Sequence, residues 1–185
     1  MQSIDSSIGM PASGRRPSGG FSLVELMVTV AVAAILLAIA TPSFTSIINS
    51  NRLASAANEL VATLQSARME AVRSNRRVNV CRGCDGNAGS LVAFVDANAN
   101  KAADAGEVIR AGFPNPSVEF SGDLDVVFGS DGFGRDGDAP NGALLATSYR
   151  FCIPTTSPAQ NVRVVSIGAG SRISTDPENG GGACQ

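Results

Sequence analysis

The most pronounced feature of the sequence is an apolar stretch over residues 21–40 that contains one charged residue, Glu25. A helix rises 1.5 Å per residue, so this stretch matches the roughly 30 Å hydrocarbon core of a bilayer. It therefore predicts a transmembrane helix over residues 21–41. Arg15 and Arg16 precede it, and positive charge beside a span favours a cytoplasmic N-terminus.

The helical pattern continues beyond Pro42, so the sequence predicts an amphipathic continuation of the helix over residues 42–76. Proline inside a helix removes one backbone hydrogen bond and bends the rod. Arg73, Arg76 and Arg77 close the helix, where positive charge complements the dipole of its carboxyl end. A phosphate-binding patch is the alternative role for these arginines. Apolar residues recur on one stripe at three- and four-residue steps: Leu53, Ala57, Leu60, Leu64, Ala67 and Ala71.

From residue 77 on, the helical period gives way to short apolar runs separated by Gly, Asn, Asp and Pro, as in strands joined by turns. The predicted strands are residues 78–80, 91–95, 108–109, 125–128, 144–152 and 162–167. Residues 129–142 and 174–183 are predicted loops, the second a poorly ordered tail unless Cys184 holds it. The predicted fold class is α+β: a long N-terminal helix packed on a small antiparallel sheet or sandwich within residues 77–185.

Composition argues against catalysis. The 185 residues include 14 basic and 16 acidic side chains, a net charge of −2, so the whole chain is not a general nucleic-acid binder. Histidine is absent, which removes the commonest general base and the commonest metal ligand. Because no nucleophile–base pair is evident either, we expect the protein not to be an enzyme.

Residues 1–20 form a polar leader that ends in two glycines before the apolar core, whereas a secretory signal places its cleavage site after the core. A cut after Gly20 would leave the helix attached and would create a free ammonium on Phe21. An unpaired charge in the membrane costs about 2.5–3.5 kcal/mol, and this ammonium, on the same or a neighbouring copy, would neutralise Glu25. We therefore interpret Glu25 as an assembly residue; a carboxylate that snorkels to the interface is the alternative.

The segment "GFSLVE", residues 20–25, resembles the processing site of type IV pilins and pseudopilins, and Pro42 stands where pilins commonly carry a helix-kinking proline. The resemblance implies cleavage between Gly20 and Phe21 by a prepilin peptidase, N-methylation of Phe21, and assembly with other pilins through Glu25 and Pro42. It also implies a single pass through the inner membrane, with the N-terminus cytoplasmic before assembly and the globular domain periplasmic.

The remainder of the chain is similar to the H-type pseudopilin branch of this superfamily, which includes the minor pilins FimT and FimU. The similarity lies in "LQSARMEAVRSNRRV", a cysteine-bearing strand, "GSLVAFVDANANKAADAGEVIR" and "VRVVSIGAGSRI". It implies a minor pseudopilin or minor pilin of a type II secretion pseudopilus or a type IV pilus. Such a subunit acts in filament initiation and tip assembly, and so in protein secretion or pilus biogenesis.

A stretch of twelve residues, 96–107, has oxygen-bearing side chains at positions 1, 3, 5, 9 and 12, as a calcium loop does. These are Asp96, Asn98, Asn100, Asp104 and Glu107. Position 6, normally glycine, is Lys101, which disfavours the sharp turn, and the flanking segments are predicted strands. Calcium is therefore a candidate ligand beside the alternative of a solvated hairpin loop, and no other cofactor is expected.

The four cysteines, Cys81, Cys84, Cys152 and Cys184, form an even set, which is typical of an oxidising compartment. The lone CxxC is a weak zinc signal because the other two cysteines form no second pair at zinc-site spacing. A redox role would require a thioredoxin-like context, which the sequence lacks. We favour disulfides Cys81–Cys84 and Cys152–Cys184, and the other two connectivities stay open on sequence alone.

DNA binding is the alternative function, as in a FimT-like minor pilin for natural transformation. Some FimT-type pilins bind DNA through a glycine-arginine-x-arginine tail, and the corresponding "GSRI", residues 170–173, keeps only Arg172. Phosphate affinity sums several basic contacts, so this loss weakens the case. After a cut at residue 20 the chain carries 12 basic and 15 acidic side chains, a net of −3. The candidate DNA contacts are Arg150, Arg163 and Arg172, if they cluster on one face.

Overall fold

The computed structural model describes residues 20–137 and 143–184. Residue contacts divide the chain into two compact units, Met1–Ala40 and Thr41–Gln185. Helix α1, Leu23–Ser74, contributes to both units, so its second part belongs to the same unit as the strands. Apart from Gly20, the predicted leader lies outside the described residues.

Nine strands follow α1 in the described part of the chain, and they form two antiparallel sheets. The strands are β1 Val78–Arg82, β2 Leu91–Phe94, β3 Val108–Gly112, β4 Glu119–Ser121, β5 Asp125–Phe128, β6 Gly134–Asp136, β7 Thr147–Cys152, β8 Val162–Ile167 and β9 Ile173–Glu178. The five-stranded sheet has the order β3-β2-β1-β5-β6, and the four-stranded sheet β4-β7-β8-β9. The predicted α+β class is confirmed, with two sheets.

The core of the second unit lies between α1 and both sheets. All six residues of the predicted apolar stripe of α1 are fully buried. They pack in one cluster with Val80 and Phe128 of the five-stranded sheet and with Tyr149 and Phe151 of the four-stranded sheet. The apolar side chains that recur every 3.6 residues on the helix and at alternate positions on the strands therefore pack into one shared core.

Helix α1 ends two residues before the predicted boundary at residue 76. Asn75 adopts a left-handed conformation with φ of 53°, and the backbone N–H of Arg76 donates to the carbonyl of Ala71 at 3.3 Å. This is the hydrogen-bond pattern of a Schellman cap, in which a left-handed residue turns the chain out of the helix. Arg73 bonds the Glu70 carboxylate at 2.9 Å.

Three strands lie where the sequence analysis predicted none. β4 was not anticipated, and β6 lies within the predicted loop 129–142. β9 covers residues 174–178 of the predicted loop 174–183, so the prediction of a loop is wrong there. Cys184 forms a disulfide with Cys152, which is the condition under which the tail was expected to be held. All six residues of β9 pair with β8. β9 is an edge strand with mostly exposed side chains, so its register comes from β8 and not from an apolar pattern of its own. Pro177 has no N–H to donate to a neighbouring strand, and an edge strand tolerates that loss.

The single tyrosine of the chain, Tyr149 on β7, is buried, and its ring lies 6.0 Å from that of Phe120 on the neighbouring strand β4. Burial raises the pKa of its hydroxyl well above 10, and the nearby carboxylates of Asp123 and Asp125 raise it further. Because the folded state has the higher pKa, the stabilising contribution is complete below about pH 10 and is lost as the pH rises further.

Alkaline titration of residues 41–185 is therefore expected to show tyrosinate absorbance only together with the loss of the far-ultraviolet circular dichroism of the fold. With no tryptophan in the chain, both the absorbance and the fluorescence change report Tyr149 alone. A Tyr149→Phe variant provides the control for the spectral signal. Reversible ionisation centred near pH 10 in a fully folded protein would contradict this prediction.

Candidate functional site

The first turn of α1 is capped by Ser22. Its hydroxyl accepts a hydrogen bond from the backbone N–H of Glu25 at 3.2 Å, and its carbonyl accepts one from Leu26 at 3.1 Å. Ser22 and Glu25 thus occupy the two positions of a capping box, and the carboxylate also lies favourably at the helix N-terminus. Ser22 was not among the predicted site residues, although a serine three residues before a glutamate is the signal for this motif.

The segment of α1 within the first unit exposes its apolar side chains. Phe21 is 69% exposed, and residues 23–39 are exposed throughout. Over the described residues, α1 is the one helix long and apolar enough to cross a membrane, judged by length and composition. Among the residues that the structure describes, the Glu25 carboxylate makes no ion pair. Among residues 20–137 and 143–184, the charge of Glu25 is therefore left without an ionic partner.

In the second unit, α1 carries an uncharged stripe on the side opposite the core, which we call the exposed stripe. Its members are spaced alternately by four and three residues, the spacing of a helix that packs against another helix. They are Phe44, Ile48, Asn51, Ser55, Asn58, Ala62, Gln65, Met69 and Val72. All are exposed except Ala62, which is half-buried. A solvent-facing stripe of nine residues without one charge is unusual for a surface helix.

Pro42, the other predicted assembly residue, lies within α1, and its backbone is helical. Its missing N–H removes one helical hydrogen bond at that position. Gly20 and Phe21 precede the helix, so the bond between them lies in non-helical backbone. This is the conformation in which a protease can reach a scissile bond.

The four cysteines form two disulfides, Cys81–Cys84 and Cys152–Cys184, which is the pairing that the sequence favours. The first lies at the end of β1 and spans three positions along the chain. The second spans 32 positions and fastens the segment after β9 to the end of β7. Asn161 adds to this anchorage, since its side-chain oxygen accepts a hydrogen bond from the backbone of Gly180 at 2.8 Å.

Loss of the two disulfides is expected to have unequal effects on stability, because chain entropy depends on the length of the closed loop. The entropic relation gives about 3–4 kcal/mol for Cys152–Cys184 and about 2 kcal/mol for Cys81–Cys84. Urea unfolding of residues 41–185 with each pair replaced by serine measures the two values. A larger loss of unfolding free energy for the Cys81–Cys84 pair than for the Cys152–Cys184 pair would contradict the prediction.

The predicted calcium-loop residues are brought together at the tip of the loop between β2 and β3. The side-chain amides of Asn98 and Asn100 both donate to the Asp104 carboxylate at 2.8 Å, and these two bonds lower the pKa of Asp104. Glu107 accepts the N–H of Ala97 at 3.0 Å. The Asp96 carboxylate accepts backbone N–H groups from positions 100 and 101.

Lys101 adopts a φ of 59°, so the sharp turn that lysine was expected to disfavour does form. Over residues 20–137 and 143–184, however, no three His, Cys, Asp or Glu side chains are grouped so that they could hold a metal ion. The loop is held by hydrogen bonds among its own residues, as in a hairpin turn. Calcium binding stays a prediction from the sequence.

The three candidate DNA contacts do not share a face. Arg150 on β7 pairs with Glu178 at 3.1 Å on the outer side of the four-stranded sheet. Arg163 on β8 faces α1, where it bonds the Ser50 hydroxyl at 3.4 Å. Arg172 lies beyond the other end of β8 and is exposed. The condition that these arginines cluster on one face is not met, because Arg163 is in register with the residue after Arg150 and successive residues of a strand point to opposite faces.

Comparison with known proteins supports the relationship suggested by these features. A family model described as "Type II transport protein GspH" matches residues 56–170, and one described as "Prokaryotic N-terminal methylation motif" matches residues 15–41. The pilin-like protein PilA1 of Thermus thermophilus is 38% identical over 94 residues, which is 50% of this chain and 57% of PilA1. The match thus spans little more than half the length of that relative.

Two crystal structures of the type IV minor pilin FimU from Pseudomonas aeruginosa are also similar. Each is 25% identical to this chain; the TM-scores are 0.48 and 0.46. The alignments cover 69% and 68% of this chain and 90% and 93% of FimU.

A methylation-motif segment at the start of a long helix, followed by antiparallel sheets on the second part of that helix, defines the class of pilin-like proteins. Within that class the chain belongs to the GspH family, since the family model covers more than half of its 185 residues. The family comprises structural pilin and pseudopilin subunits. The N-terminal apolar helix of this chain indicates membrane anchoring.

Proposed function

We propose that the protein is a minor pseudopilin or minor pilin that acts in filament initiation and tip assembly. It would serve either the pseudopilus of a type II secretion system, and so protein secretion, or a type IV pilus. The observation that carries this proposal is the coincidence, on one short segment, of the methylation motif, the capped helix start and Glu25 within an exposed apolar span. Glu25 has no ion-pair partner in the part of the chain that the structure describes.

In this proposal a prepilin peptidase cleaves between Gly20 and Phe21, and Phe21 is then N-methylated. The new ammonium lies four residues before Glu25 and supplies the charge that this carboxylate lacks. In a helical filament the ammonium of a neighbouring copy can reach Glu25 as well. A buried ion pair contributes little net stability but fixes register, which is what an assembling subunit requires.

The exposed stripe supports the same role. It presents small and amide side chains at Asn51, Ser55 and Asn58 between apolar ends at Phe44 and Val72. Small residues permit close approach of two helices, and amide groups can bond across the contact. An uncharged helix face of this composition fits the helices of neighbouring subunits.

We further propose that the mature chain passes once through the inner membrane, with residues 41–185 in the periplasm. Arg15 and Arg16 flank the span on the N-terminal side, which favours a cytoplasmic N-terminus before assembly. The two disulfides agree with a periplasmic location, because thiols stay reduced in the cytoplasm.

Two assays on detergent-solubilised full-length protein separate the assembly role from the DNA-receptor role. Co-purification with other pilin-type subunits from native membranes is expected, together with enrichment in sheared filament fractions. In a gel shift with duplex DNA we expect no salt-sensitive binding in the micromolar range, since the candidate arginines are dispersed. Tight, salt-sensitive DNA binding without subunit co-purification would overturn the proposal in favour of the receptor.

A further inference from the structure

Three segments that are distant in the sequence form one surface, which we call the basic end. Arg68 on α1 donates to the carbonyl of Ser171 at 3.1 Å, and the buried Ser171 hydroxyl accepts the N–H of Gly134 at 2.7 Å. The end of α1, the β5–β6 turn and the β8–β9 turn are thereby held together. The basic end comprises residues 68–77, 129–135 and 168–172.

The charge of the basic end is opposite to that of the rest of the chain. Its six arginines outnumber its two carboxylates, Glu70 and Asp131, so its net charge is +4. The remainder of residues 21–185 has six basic and thirteen acidic side chains, a net charge of −7. Arg135 is held by Asp131 at 2.6 Å, a bond that lowers the pKa of this carboxylate to about 2. The arginines are Arg68, Arg73, Arg76, Arg77, Arg135 and Arg172.

Apolar side chains lie among these arginines. Met69 is 66% exposed, Val72 is 55% exposed and Phe133 is 36% exposed. Gly132, with φ of 76°, brings the β5–β6 turn onto the helix: a Cβ there would lie 3.3 Å from Val72. Methionine, aromatic residues and arginine are enriched in protein–protein interfaces, from which lysine is depleted. The basic end combines arginine, methionine and phenylalanine.

This mixture favours a protein partner over a nucleic acid. Nucleic-acid interfaces are more polar and more positively charged than protein interfaces, and they are built around phosphate contacts. An exposed methionine and valine in the middle of the surface would meet no matching group on a phosphate backbone. Against an acidic protein face, the same side chains would form an apolar centre inside a charged rim.

We propose that the basic end docks the acidic face of another pilin-type subunit, with Met69 and Val72 at the centre and the arginines at the rim. This inference rests on the proposed function. A subunit with the charge distribution of this chain outside its basic end offers such a face, and opposite charges orient and accelerate docking. Met69 and Val72 also end the exposed stripe, so the surface continues the helix face assigned to neighbouring subunits.

The test uses the full-length protein in its native cells, with a photo-crosslinking amino acid at Met69. Phe113 is the matched control position, because it is also 66% exposed but lies outside the basic end. We expect the crosslinker at position 69 to join a peptide from another subunit whose precursor has a prepilin leader and which has Asp or Glu at the contact. The crosslinker at position 113 is expected to give no such product.

Charge reversal then tests the role of the rim. The triple variant Arg73→Glu, Arg76→Glu, Arg172→Glu is expected to reduce the crosslink yield about tenfold or more, since it sets like charges against each other. Asp→Lys or Glu→Lys at the crosslinked acidic position of the partner should restore the yield. Arg52→Glu, an exposed arginine of the same helix outside the basic end, should leave it unchanged.

An unchanged yield in the triple variant, at normal membrane levels, would overturn the inference. Duplex DNA binding that the triple variant abolishes, without any subunit crosslink at position 69, would also overturn it and would make the basic end a nucleic-acid surface. If only Glu25→Ala then blocks incorporation, the proposed function stands without this docking surface. If Glu25→Ala has no effect either, the proposed function itself fails.

Discussion

Replacement of Glu25 by alanine is expected to leave the protein in the membrane and to reduce its incorporation into filaments about a hundredfold or more. The change removes one member of the proposed pair with the Phe21 ammonium. Loss of one partner of a buried ion pair costs about 3–5 kcal/mol, because the other charge is left uncompensated. Quantitative immunoblots of membrane and sheared-filament fractions measure the effect.

Two further variants separate the charge of Glu25 from its place in the capping box with Ser22. Glutamine is accepted at this position of a capping box, so Glu25→Gln keeps the local structure but removes the charge, and it should fail like Glu25→Ala. Ser22→Ala removes the cap at a cost of about 1 kcal/mol and should still allow incorporation. If Glu25→Gln assembles normally, the charge is not what assembly requires.

Truncation of Leu60 to alanine is expected to lower the free energy of unfolding of residues 41–185 by about 2–5 kcal/mol, the range for a large-to-small change in a packed core. Leu60 is fully buried in the cluster that joins α1 to both sheets. The loss is a large fraction of the total stability of an ordinary domain. Urea denaturation followed by circular dichroism measures it.

Met69→Ala is the matched control on the same helix, since Met69 is 66% exposed and surface changes usually stay within about 0.5 kcal/mol. The same variant leaves the core unaltered while removing a centre residue of the proposed docking surface. Equal destabilisation by Leu60→Ala and Met69→Ala would show that the second half of α1 does not pack as described.

The sequence was sufficient for elements whose side chains divide into an apolar and a polar face. The helix stripe through Leu60 and the strand around Val80 have a clear period, because each has one face in the core. The strand that contains Phe128 is recognisable as a short apolar run. The methylation motif was equally readable, since its residues lie within one short segment. These features are local in the sequence, so a pattern can reveal them.

The elements that were missed depend on tertiary contacts. β6 has three residues, and β9 is an exposed edge strand whose register is set by β8 and by the Cys184 disulfide. The placement of Arg150 and Arg163 depends on a strand register that no local pattern reports. The basic end joins Arg68 to Ser171 across 103 positions, so its charge becomes apparent only once the chain is folded.

Intact-mass measurement of the protein recovered from assembled filaments tests the central claim most directly. The account predicts a polypeptide that begins at Phe21 with one added methyl group, because only cleavage after Gly20 creates the ammonium that Glu25 is proposed to meet. A functional, filament-borne polypeptide that still begins at Met1 would contradict it.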